Sequence, residues 1–193
     1  MGIDKNGDRV SEQPLVRRLK AGDRAAIAEM IEGNGTRLLK TAFLLCGDES
    51  DAQDLVQDTF LKAIDLIGKF REESKLHTWL YGILFNLNRS MRRKRRLLFP
   101  GQLPEETHDP MPAFEQKMDL QKVYRIISGI MKKMAAKHRE VLVLRYFEAM
   151  SLMEISDTLG ISIGTVKSRL FYATSKIRNK LPADLNLFGS GDT

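Results

Sequence analysis

The chain has 193 residues, 42% of them hydrophobic, and a formal net charge of +6. That supplies the core of one medium domain or two small ones and excludes global disorder, while the modest basicity permits a polyanionic partner without requiring one. A single cysteine, Cys46, rules out an intrachain disulfide; it stands in the apolar helical stretch TAFLLCGD and reads as a buried structural thiol. The N-terminal stretch MGIDKNGDRVSEQ has no apolar signal core, and no window approaches the roughly 18 apolar residues of a membrane span. A cytoplasmic chain with no direct membrane insertion is therefore expected.

Apolar residues recur at helical spacing and nowhere alternate with period two, so the fold class is all-α. The first helix is expected over 11–21, stopped by Gly22. The second starts at Asp23, a good N-cap, and runs toward Cys46. EGNGT at 32–36 predicts a kink or break in it, because two glycines lie within three residues. The third covers 49–67 and the fourth 75–96. Residues 97–113, LLFPGQLPEETHDPMPA, hold four of the chain's six prolines and read as a flexible linker. Two small helical domains follow, 1–96 and 114–193. In the second, helices are expected over 114–133 and 136–148.

SLMEISDTLGISIGTVKSRL then carries a denser set of signals. Ser151 and Glu154 form a capping box, Gly160 ends the short helix in the left-handed conformation, and Ser162 caps the next helix. Ile163, Val166, Leu170, Ala173 and Ile177 form its apolar stripe. A short helix, a glycine turn and a capped second helix make a helix-turn-helix. The opposite face shows Ser162, Gly164, Thr165, Lys167, Ser168, Arg169 and Tyr172, with small residues and a helix N-terminus at its start. Such a face suits duplex DNA; the plainer alternative is a solvated basic face.

NLNRSMRRKRR at 86–96 holds six basic residues and no acid. It follows KLHTWLYGILFN, which places Trp79, Tyr81 and Phe85 beside the cations. Rings next to Lys and Arg suit unstacked bases, although the run also reads as a solvated or targeting tract. Trp79 itself reads equally as core or as a nucleic-acid contact. In DESDAQDLVQDTFLKAIDLIGKF the apolar stripe is Ala52, Leu55, Val56, Thr59, Phe60, Ala63 and Ile67. Gln53, Asp54, Gln57, Asp58, Leu61 and Asp65 face outward, a docking surface or a solvated face. The three histidines are scattered in sequence, and no phosphate loop, nucleophile elbow or zinc spacing occurs. No cofactor, metal or catalytic residue is expected, and an enzyme acting on nucleic acid is disfavoured.

DAQDLVQDTFLKA, FREESKLHTWLYGILFN, the proline-rich linker and HREVLVLRYFEAMSLMEISDTLGISIGTVKSRL, in that order, resemble bacterial sigma factors of the extracytoplasmic-function group. The resemblance covers about 15–181. It implies a non-catalytic subunit that binds core RNA polymerase and selects promoters. Asp51, Gln53, Asp54, Gln57, Asp58 and Leu61 would then dock on the clamp helices of the largest polymerase subunit. Lys75, His77, Trp79, Asn86, Arg89, Arg92 and Arg93 would engage the single strand of the minus-ten element, with Asn86 matching a base-pocket asparagine. Ser162, Gly164, Thr165, Lys167, Ser168, Arg169 and Tyr172 would read the duplex minus-35 element. Members are often held by an anti-sigma factor. Tyr172 stands where an arginine is common, and GNG at 33–35 interrupts a helix that is normally continuous. The rival within transcription is a free-standing helix-turn-helix regulator with an N-terminal sensing or dimerisation domain; an adaptor binding other proteins is a third reading.

Overall fold

The structure is a computed structural model that describes residues 7–98, 127 and 129–180, with side chains from residue 12. The expected linker beyond residue 98, most of the expected 114–133 helix and the tail from residue 181 lie outside the described residues. No strand occurs among the described residues. They fall into two compact units, one within Met1–Ala42 and Ser50–Leu103, the other within Phe43–Glu49 and Pro104–Thr193. Phe43–Glu49 groups with the second unit.

Four helices come first: α1 spans Gly7–Lys20, α2 Arg24–Cys46, α3 Glu49–Leu66 and α4 Leu76–Leu98, all in the first unit except the Phe43–Cys46 end of α2 and Glu49. A 3-10 turn, Ile67–Lys69, follows α3. Gly22, at φ 78°, ends α1 as the sequence indicates. Asp23 then opens α2: its Oδ1 accepts the Ala25 N–H at 2.8 Å, and its Oδ2 accepts Arg18 Nε at 2.7 Å. The break expected at 32–36 is absent, and α2 runs unbroken to Cys46. Met30 and Leu38, on either side of the glycines, are 1% and 2% exposed. Burying two such side chains contributes about 1.5–3 kcal/mol each, which offsets the roughly 1 kcal/mol that each helical glycine costs. Cys46 is half-buried rather than enclosed.

Leu55, Phe60 and Ala63 of α3 pack inward with Leu76, Leu80, Tyr81, Leu84 and Phe85 of α4 as parts of one core. Thr59 enters that core by donating its hydroxyl to Leu55 O at 2.6 Å. Helix α4 changes character along its length. Up to Asn88 most faces are buried, whereas residues 92–98 are exposed.

In the second unit residues 129–132 are helical, α5 spans Ala136–Leu142, and a π segment, Val143–Phe147, continues it. Then come α6, Leu152–Leu159, and α7, Ile163–Arg178. Met131, Val141, Leu142, Leu144, Ile155, Val166, Ala173 and Ile177 form the core. The expected helix-turn-helix is present. Glu154 N–H donates to Ser151 Oγ at 3.2 Å, and Ser151 N–H donates back to Glu154 Oε2 at 2.8 Å. Gly160 sits at φ 64° and Ile161 N–H closes onto Ser156 O at 3.1 Å. Ile163 departs from the expected stripe: it is 37% exposed. It occupies the first helical position, so the inward stripe of α7 begins one turn later, at Val166.

Candidate nucleic-acid interface

The outward face of α7 follows from its buried one. With Val166, Ala173 and Ile177 inside, the 3.6-residue period turns Gly164, Ser168 and Phe171 outward, flanked by Lys167 on one side and Thr165 and Tyr172 on the other. Ser162 and Thr165 belong to the helix start. Thr165 N–H donates to Ser162 Oγ at 3.2 Å, and the two hydroxyls lie 2.9 Å apart. Ser168 turns its hydroxyl to Thr165 O at 3.1 Å. Lys167 is exposed and Arg169 half-buried. Lys176, the next cation on this helix, donates to Lys133 O at 3.0 Å and braces the fold.

Tyr172 is 51% exposed, and its ring lies on that of His138 in α5, with centroids 4.2 Å apart and planes tilted by 37°. The His138 Nδ1 atom is buried with no hydrogen-bond partner among the described residues. Burial first, and then the charges of Lys137, Arg169 and Lys176, hold the imidazole below its usual pKa. The neutral ring thus sits under a cationic surface. Phe171 was missed by sequence reasoning. It is 68% exposed at the centre of the outward face, and its position seven residues after Gly164 was the available signal.

In the first unit the same period places Lys75, Trp79, Gly82, Asn86, Arg89 and Arg93 along one side of α4. Asn86 and Arg93 are exposed; Lys75, Trp79, Gly82 and Arg89 are half-buried. Trp79 is half-buried and packs on Phe70, with ring centroids 4.9 Å apart. His77 and Arg92 fall on other sides of the helix. His77 Nδ1 lies 4.0 Å from Glu12 Oε1 of α1, and its ring meets Tyr81 edge-on at 6.4 Å. These two members of the expected set are not brought together with the rest.

The face of α3 lies as the period indicated. Gln53, Asp54, Gln57, Asp58 and Asp65 are exposed, and Leu61 is 56% exposed among them. Asp51 differs from its expected company. Its side chain is only 17% exposed. Arg95 Nη1 donates to Asp51 Oδ2 at 2.6 Å, and Arg95 Nη2 grips Oδ1 as well. A bidentate pair of this kind commits the carboxylate to joining α3 to the end of α4.

No group of three or more His, Cys, Asp or Glu side chains suited to a metal ion occurs among the described residues. No helix among them is long and apolar enough to cross a membrane.

Residues 30–97 match the family Sigma-70 region 2, and residues 130–179 match Sigma-70, region 4. The chain is 27% identical to the ECF RNA polymerase sigma factor SigW of Bacillus subtilis over 86% of this chain and 94% of that protein. It is 32% identical to the RNA polymerase sigma-E factor of Streptomyces coelicolor over 84% of this chain and 89% of that protein. Among solved structures it is similar to the sigma factor RpoE in complex with the anti-sigma factor NepR from Bartonella quintana, with a TM-score of 0.71, 28% identity, and 82% and 98% of the two chains covered. CnrH in complex with the cytosolic domain of CnrY gives a TM-score of 0.66 at 25% identity, over 92% and 99% of the two chains. Two sigma-70 regions matched in order, and relatives aligned along most of their length, lead to one conclusion: the chain belongs to the bacterial RNA polymerase sigma factors of the extracytoplasmic-function group.

Proposed function

We propose that this sigma factor divides promoter recognition among three surfaces and carries out no chemistry of its own. The acidic stripe of α3, Gln53, Asp54, Gln57, Asp58 and Leu61, docks on the clamp helices of core RNA polymerase. Lys75, Trp79, Asn86, Arg89 and Arg93 on α4 hold the opened strand of the minus-ten element, where ring stacking and backbone charge offset the few kcal/mol that unstacking a base costs. Gly164, Lys167, Ser168, Arg169, Tyr172 and the added Phe171 on α7 lie in the major groove of the minus-35 element. Asp51 acts within the first unit, in its pair with Arg95, rather than at the polymerase surface.

The observation that carries this reading is the separation of charge. An exposed acidic face lies on one helix, and exposed cationic faces lie on two others in different units. Two weak DNA sites on separate units gain from effective concentration only when their spacing is fixed. Polymerase supplies that spacing in this mechanism, so the free chain binds promoter DNA weakly. One solved relative is complexed with an anti-sigma factor, which supports a regulator of the same class here.

A gel shift on a promoter fragment, with and without core polymerase, tests the mechanism. Sequence-specific retardation should require core. Tight binding by the chain alone, with dimer formation, would favour a free-standing regulator instead.

A further inference from the structure

Helix α4 begins beside a cation. It has no acidic residue in its first turn, and the residue before it is Lys75, so its own first residues supply no negative charge to the partial positive charge of its N-terminus. A carboxylate reaches it from α1. Glu12 Oε2 accepts the Leu76 N–H at 2.9 Å, across 64 residues of sequence. The other oxygen of the same carboxylate lies 4.0 Å from His77 Nδ1. At the far end of α1, Lys20 Nζ meets Glu72 Oε1 at 2.6 Å. Glu72 sits at φ 59°, a backbone conformation that a non-glycine residue keeps only where its surroundings hold it. One helix therefore grips both ends of the 72–77 stretch that leads into α4.

We propose that α1 is a positioning element for strand capture, with Glu12 and Lys20 as positioning residues. They fix the height and rotation of the first turns of α4, and with them the face that carries Lys75, Trp79 and Asn86. This inference rests on the reading of that face as the minus-ten strand surface. The long reach of both contacts is the argument for it. One ends on Glu72 in the loop before α4 and the other on Leu76, the first residue of α4, on either side of Lys75.

The test uses holoenzyme reconstituted from core polymerase and the full chain. Promoter opening is read by permanganate reactivity of unpaired thymines, and core affinity and the chain's melting temperature are measured beside it. Glu12→Ala should lower opening about tenfold. Glu12→Gln, which keeps an acceptor for the Leu76 N–H, should recover most of that loss. Core affinity should stay within about twofold of wild type in both. Should Glu12→Ala fold poorly, Lys20→Met with Glu72→Met tests the other end and should lower opening several-fold. Unchanged opening in the Glu12 variants and the double variant overturns the proposal. So does a loss of opening that only follows a parallel loss of core affinity, because α1 is then ordinary scaffold. Trp79→Ala and Asn86→Ala run alongside. If they leave opening intact, the strand surface itself is misassigned, a failure distinct from one confined to the α1 variants.

Discussion

Gly82 lies in the interior of α4, and a Cβ built on it meets nothing within 4 Å. A glycine there costs about 1 kcal/mol of helix stability relative to alanine, and packing inside the protein does not require it. Gly82→Ala should therefore stabilise the chain by about 1 kcal/mol. For a unit of this size that raises the melting temperature by roughly 4–8 °C. Gly82 also shares a face with Trp79 and Asn86, so the new methyl group would stand where a captured strand approaches. A base–aromatic stack contributes about 1–3 kcal/mol, and losing part of one should weaken minus-ten strand binding by about tenfold. Gly33 and Gly35 in α2 also have open space around a Cβ, and α2 carries none of the proposed contacts. Gly33→Ala and Gly35→Ala should give the stability without the loss. Differential scanning calorimetry of the three variants, with strand binding measured on each reconstituted holoenzyme, checks both halves. A lower melting temperature for Gly82→Ala would refute the reading of open space; a higher one with strand binding unchanged would remove Gly82 from the contacted face.

Lys167→Ala should weaken duplex binding and reduce the slope of log affinity against log salt by about one, as loss of a single phosphate contact requires; an unaltered slope would place Lys167 away from the backbone. Ser151→Ala removes one half of the α6 capping box and should cost about 1 kcal/mol in denaturant unfolding. Asp51→Ala, Arg95→Ala and the double variant should give a coupling energy of about 0.2–1 kcal/mol, since Arg95 is largely exposed. His138 supplies a pH test. Its pKa is depressed by burial and by Lys137, Arg169 and Lys176. Between the usual value of about 6.5 and that lower value, the unfolded chain holds more protons than the folded one. Stability should then fall as pH drops through that window, and His138→Phe, which keeps a ring under Tyr172, should flatten the dependence in urea titrations.

Local chemistry was legible in the sequence. The Ser151 capping box, the Gly160 turn, the Asp23 cap and the outward stripe of α3 depend on residues no more than a few turns apart, and all take the expected form. The departures come from contacts that no local pattern encodes. Burial of Met30 and Leu38 carries α2 through two glycines that predicted a break. Asp51 finds Arg95 across 44 residues, and Glu12 finds Leu76 across 64. Ile163 and Phe171 fail for a simpler reason. Hydrophobicity marks residues that could be buried, while the rotation of α7 against α5 and α6 decides which ones are.

Helix α4 is a single rod whose opening turns are locked into the interior and whose closing turns lie exposed, tied to α3 through Arg95 and Asp51. In the proposed mechanism, load applied by nucleic acid along this helix is borne by the Arg95–Asp51 pair and by the buried Tyr81, Leu84 and Phe85. Substitutions at those buried positions, which touch no nucleotide, should slacken the rod and slow initiation, so that defects in transcription can arise from packing alone.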